Sequence, residues 1–140
     1  MARLFPAILF CILVLAVQPV LAEDFSGYWV GSKFIIDGQD TAERDGLPVR
    51  LLTQYQLFPD GRVEAIVYGA WGQGTWRPEG DSVRLEIVCG EEFVPEVLSF
   101  RDGQLVYTDA ESAEVWLTRA DGRMDADKVL DDLQNLLTGK

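Results

Sequence analysis

Two groups of carboxylates are the side chains in this chain best suited to chemistry. Asp40, Glu43 and Asp45 share one loop, and Glu91 and Glu92 are adjacent in another. Paired carboxylates can divide acid and base work when their surroundings push their pKa values apart. Neither group has a defined spacing, so the sequence itself reads them as solvated loop charges. The stretch Asp37-Gly38-Gln39-Asp40-Thr41-Ala42-Glu43-Arg44-Asp45-Gly46 offers hard oxygen ligands. It lacks the ordered ligand positions of an EF-hand loop, so no metal is expected. The sequence has no histidine, which leaves a serine or cysteine nucleophile without its usual base. It has no Gly-x-Ser-x-Gly, no phosphate loop and no dinucleotide fingerprint either. No catalytic residue and no cofactor are therefore expected. What remains is recognition, by acidic residues that attract cations and by an aromatic side chain beside them. Trp71 is that aromatic, flanked by Gly69 and by Gly72-Gln73-Gly74. Glycine neighbours let the backbone turn sharply and leave an indole prominent, so Trp71 reads as a ligand-stacking or partner-anchoring residue, or as a plug folded back on the barrel.

The compartment follows from the first residues. Arg3 opens a positive start, Leu4 to Val20 is almost wholly apolar, and Val20-Leu21-Ala22 offers small residues before Glu23. That pattern is a secretory signal peptide over 1–22, and it places the mature protein in a periplasm or outside the cell. The mature chain then carries Cys89 alone, so it can form no internal disulfide, and Cys89 reads as a buried apolar filler at a strand end. Losing Arg3 moves the net charge from −11 to −12. Such a surface repels nucleic acid and anionic membrane, so neither is an expected partner.

Turn signals then set the elements that must position these residues. Pro59-Asp60-Gly61, Pro78-Glu79-Gly80-Asp81 and Arg101-Asp102-Gly103 each separate two apolar-rich runs. Looser connections over 37–48, 69–74, 89–92 and 109–112 alternate with them. Strands are predicted over 26–36, 49–58, 62–68, 74–77, 82–89, 94–100, 104–108 and 113–119. In the strand over 49–58, Val49, Leu51, Tyr55 and Leu57 share one face; in that over 62–68, Val63, Ala65 and Val67 alternate with Arg62, Glu64, Ile66 and Tyr68. Closing such a meander removes two exposed edges. The expected fold is all-β: an eight-stranded antiparallel up-and-down barrel over 23–120, with a C-terminal α-helix in 121–140. A two-sheet sandwich would need a long crossover, and 37–48 is the one connection of that length. Val129, Leu130, Leu133, Leu136 and Leu137 recur at helical spacing, so a helix over 125–138 should lay its leucine stripe on the outer wall, with Trp116 as a candidate partner. The tight turns would share one end of the barrel. The other end would gather Asp37, Asp40, Glu43, Asp45, Glu91, Glu92, Asp109 and Glu111 against Arg44.

Phe25-Ser26-Gly27-Tyr28-Trp29 resembles the Gly-x-Trp opening of the lipocalins, and the order of a long first loop, eight strands, an arginine at Arg119 and a helix is similar too. The middle Thr-Asp-Tyr motif and the usual disulfide of that family are missing. The resemblance implies that Trp29 closes the barrel floor with Arg119 packed across it, and that the protein binds a small apolar molecule. The expected activity is non-enzymatic binding by a monomer, with the site at the acidic open end formed by Trp71, Asp40, Glu43, Asp45, Glu91 and Glu92. The partner would be a small apolar or cationic molecule, or an exported protein, as for an inhibitor or an envelope assembly factor. Inward Trp29, Tyr55, Phe100 and Tyr107 would fill much of the interior, which favours a protein partner.

Overall fold

The computed structural model describes residues 24–139, so the expected leader over 1–22 lies outside the described residues. Its elements are β1 (Gly27–Ile36), β2 (Gln39–Thr41), β3 (Glu43–Arg44), β4 (Leu47–Pro48), α1 (Val49–Leu52), β5 (Thr53–Leu57), β6 (Arg62–Val67), β7 (Ala70–Glu79), β8 (Ser82–Cys89), β9 (Glu92–Arg101), β10 (Gln104–Thr108), β11 (Glu114–Ala120) and α2 (Ala126–Leu137). Strands β1 and β5 to β11 form a closed antiparallel barrel of eight, sealed where β11 pairs with β1. β2 folds back on β1 as a short hairpin arm, and β3 pairs with β4. No described helix is long and apolar enough to cross a membrane.

Period-two alternation sends one face of each strand inward. Trp29, Tyr55, Leu57, Val63, Ala65, Val83, Leu85, Ile87, Leu98, Leu105 and Leu117 form one buried cluster with Phe25. Trp29, Leu57, Leu85, Ile87, Leu98, Leu105 and Leu117 have no exposed surface. Trp76, Phe100 and Tyr107 pack against this cluster, so side chains fill the interior. Cys89 packs there too, but it is half-buried rather than buried, because it ends β8 at the rim.

Two elements differ from the expected strands. Residues 49–52 form a helical turn, and β5 begins only at Thr53. Pro48 stands before the turn with its fixed φ of −64°, and the Val49 amide bonds to the Ala42 carbonyl. The turn buries Val49, Leu51 and Leu52 together, where a strand would send neighbours to opposite faces. The strand expected over 74–77 runs from Ala70 to Glu79. Its link to β6 is only Tyr68-Gly69, with φ of 49° and 83°, the paired left-handed geometry of a two-residue hairpin turn. Gly72 and Gly74 are thus strand residues opposite Ala65 and Val63. A Cβ on Gly74 would lie 1.8 Å from the Glu86 carbonyl oxygen, so glycine serves close strand approach there, not a loop.

α2 covers the wall outside β5 and β6. Met124, Val129 and Leu133 join Ile66, Leu51 and Leu52 in a second buried cluster. Ile66, on the strand face it shares with Arg62, Glu64 and Tyr68, is therefore fully buried. Gln56 lies beneath the helix approach and accepts a bond from the Met124 amide at 2.9 Å. Trp116 is not the helix's partner. It pairs across the sheet with Lys33, whose Nζ lies 4.8 Å from its ring, and with Arg101 at 5.7 Å.

Candidate functional site

Antiparallel order puts the Tyr68-Gly69, Gly90-Glu91 and Asp109–Ser112 connections at one end of the barrel, together with the β2–β4 excursion. At this end, the mouth, α1 packs Val49, Leu51 and Leu52 with Phe34, Ile66 and Val115, and the excursion reaches the β6–β7 and β10–β11 turns. Arg44 fastens it. Its Nη1 donates to Asp109 Oδ2 and to Tyr68 Oη, both at 3.3 Å. Its Nη2 donates to Glu111 Oε2 at 3.5 Å. The guanidinium also lies 5.6 Å from the Phe34 ring and 5.7 Å from the Tyr68 ring, and those two rings stack. Beside this latch is a cleft of about 570 Å³, lined in part by Asp45, Leu52, Tyr68, Tyr107, Asp109 and Glu111.

Local turn chemistry positions the acids. The Asp109 carboxylate accepts the amides of Glu111 at 2.9 Å and Ala113 at 3.0 Å, which holds the β10–β11 turn. Partial burial works to raise its pKa, but those two amides and Arg44 outweigh it and hold the carboxyl below its ordinary value. The Tyr68 hydroxyl moves the other way, to about 12, first because it is partly desolvated and then because Asp109 is charged nearby. The mouth is thus an acidic edge at which Arg44 is engaged by Asp109, Tyr68 and Glu111.

The six residues expected to form the site do not all meet. Asp45 lines the mouth cleft. Asp40 stands on the β2 arm, 3.5 Å from Lys33 Nζ, and Glu43 is exposed on β3. Glu91 and Glu92 are exposed at the start of β9, at the same end of the barrel but not among the cleft's lining. Trp71 is not in a mouth loop. It is a β7 residue opposite Ile66, on the outer face and 40% exposed, because the hairpin turns two residues earlier than the glycine run suggests. There it walls a second cleft, of about 820 Å³, between the barrel and the start of α2, with Glu64, Arg123, Met124, Asp125 and Asp127. Farther round the same wall Val88 pairs with Phe93, and both are exposed, as is Val97.

The opposite end is closed. Arg119 Cζ lies 4.4 Å from the Trp29 ring centroid, and the two residues pair across β1 and β11. Arg119 also donates to the Ser26 carbonyl at 2.5 Å and the Asp24 carbonyl at 2.8 Å, while Trp29 Nε1 donates to the Phe25 carbonyl at 2.9 Å.

One buried titratable group is absent from the sequence-based set. Glu96 faces the interior of the barrel, where Tyr55 Oη donates to its Oε2. Its signal in the sequence is its phase in β9, where Glu96 shares a face with Leu98 and Phe100, and it is one carboxylate in a chain rich in them. No family model matches the chain, and no curated protein matches it.

Proposed function

We propose that this is an exported, non-enzymatic, lipocalin-like barrel that binds an exported protein through its acidic mouth and the wall beside it. The observation that carries this reading is the filled interior. Trp29, Tyr55, Leu85, Ile87 and Leu117 occupy the space where a lipocalin-like barrel would hold its ligand, and Arg44 ties the β2–β4 excursion to Tyr68 and Asp109 at the mouth. Recognition then falls to the surface. The mouth presents Glu43, Asp45, Glu91, Glu92 and Glu111, and the adjoining wall adds exposed Trp71, Val88 and Phe93. An apolar patch rimmed by carboxylates suits a partner that carries an apolar anchor among lysines and arginines. A standard protein interface buries about 1,200–2,000 Å² in total, which requires several of these segments at once.

A small-molecule reading has one observation in its favour, the mouth cleft of about 570 Å³. A cation would suit it, and a fatty acid would meet the carboxylates of Asp45, Asp109 and Glu111. Native mass spectrometry of the protein purified from its own host separates the two readings. A bound protein subunit supports the first, and a bound small mass supports the second. For a protein complex, alanine substitutions at Asp45, Glu91, Glu92 and Glu111 should together raise Kd by at least tenfold at low salt. An unchanged Kd refutes the mouth as the site.

A further inference from the structure

Glu96 is a carboxyl group inside the barrel, only 4% exposed. Its Oε2 accepts the Tyr55 hydroxyl at 2.5 Å, and its Oε1 has no hydrogen-bond partner among the described residues. The titratable groups that face it come from three other strands: Tyr55 of β5, Tyr107 of β10 and Cys89 of β8. All three are neutral at neutral pH, since their ordinary values already lie above it and burial raises each further. No lysine or arginine forms an ion pair with Glu96 among the described residues. A carboxylate in this place would have one oxygen unpartnered amid Leu85, Ile87 and Leu98.

We propose that Glu96 is a proton-operated switch, neutral while the mouth side of the barrel is packed and ionised only as that side loosens. Tyr107 connects the two places. It packs against both buried clusters, it lines the mouth cleft, and it feels both Glu96 and Asp109. The far end offers no such path, since Trp29, Leu57 and Leu117 are fully buried there beneath Arg119. Water reaching an ionised Glu96 therefore enters from the mouth, past Tyr107, and disturbs α1 and the Arg44 latch. The switch goes beyond the proposed binding role and does not depend on it. It does mean that any binding at the mouth is coupled to pH.

The direction follows from burial. Desolvation raises the Glu96 carboxyl to about 7, and the bond from Tyr55 pulls it back only in part. A raised acid stabilises the fold in its protonated form. That stabilisation is complete below the ordinary value of 4.5 and is lost as pH rises through about 7. Between pH 5 and 8 the Glu96 contribution should change the unfolding equilibrium by roughly two orders of magnitude.

The test uses the mature protein with ¹³C-labelled glutamate carboxyls. One carboxyl should titrate near neutral pH, and it should vanish in Glu96→Gln. Tyr55→Phe removes a donor that favours the carboxylate, so it should move that midpoint upward. Hydrogen exchange, corrected for the intrinsic effect of pH, should show protection falling between pH 5.5 and 8 over 49–53 and 107–109, and holding over 27–30 and 117–119. Glu96→Gln should remove this change. The proposal fails if every wild-type carboxyl titrates in the ordinary range. It fails equally if protection falls evenly along the chain, or if a folded Glu96→Gln keeps the wild-type pH dependence.

Discussion

Arg119 holds the closed end by three routes: its face on Trp29, its bond to the Ser26 carbonyl and its bond to the Asp24 carbonyl. Arg119→Ala should therefore lower stability by about 1–2 kcal/mol in a urea titration. Arg119→Lys should restore only part of this, because an ammonium neither stacks flat nor forks to two carbonyls. An Ala variant within error of wild type would remove the closure from the list of stabilising features. Gly27 shares this corner, with φ at 135° and room for a Cβ only 2.9 Å from Arg119 Nη1, so Gly27→Ala should disturb the same contacts. At the mouth, Arg44→Ala should cost less, about 0.5–1 kcal/mol, since its ion pairs are partly exposed. Its clearer effect should be faster hydrogen exchange over 42–49. Asp109 gives the latch a pH limit. Its lowered carboxyl contributes above the ordinary value of 3.8, and that contribution is lost as pH falls through the lowered one. Trp29 and Arg119 stand out in the sequence because their motif and position do. Glu96 and Arg44 do not, since their importance comes from what strands and loops far away in sequence place beside them.

Two elements with strong period-two alternation, β6 and β8, are legible in the sequence to within a residue. In β8, Val83, Leu85 and Ile87 point inward and Arg84 and Glu86 point out. The misreading of β7 has a local cause. A run of Gly69, Gly72 and Gly74 looks like a loop, but two of these glycines lie in the strand because β8 approaches too closely for a side chain. That error moved Trp71 from the wall to the mouth. Residues 49–52 misled for another reason: Val49 and Leu51 fit an alternating pattern, while Pro48 and the Val49–Ala42 bond favour a turn. α2 was legible from its leucine spacing, and its cap is visible in the structure, where Asp125 Oδ1 accepts the Lys128 amide at 3.2 Å. Asp125→Ala should cost about 1 kcal/mol by loss of this cap. Leu133→Ala should cost more, about 2–4 kcal/mol, since Leu133 is buried against Gly69 and the Ile66 cluster. Thermal unfolding of both variants checks the order, and the reverse order would mean that α2 is held by its end rather than by its stripe.

At the scale of the molecule, a closed barrel with no internal disulfide among the described residues depends on its packed core, and the chain carries a formal net charge of −11. The apolar stretch before Glu23 should be removed on export. Intact-mass analysis of the secreted or periplasmic protein should find Glu23 at its start, and a membrane-bound form retaining 1–22 would contradict export by cleavage. The proposed mouth site would use the same charge to select its partner, and the tight turns supply an internal control, since Asp60, Glu79 and Asp102 are also acidic and exposed. General attraction to a cation would touch both ends, whereas recognition would touch one. The most direct measurement is therefore an NMR titration of the ¹⁵N-labelled mature protein with a peptide of alternating lysine and apolar residues, at low and at high salt. Shifts should gather at Asp45, Tyr68, Trp71, Glu91, Glu92 and Glu111, and should fade as salt screens the carboxylates. Shifts confined to Asp60, Glu79 and Asp102, or spread evenly over both ends, would contradict a binding site at the mouth.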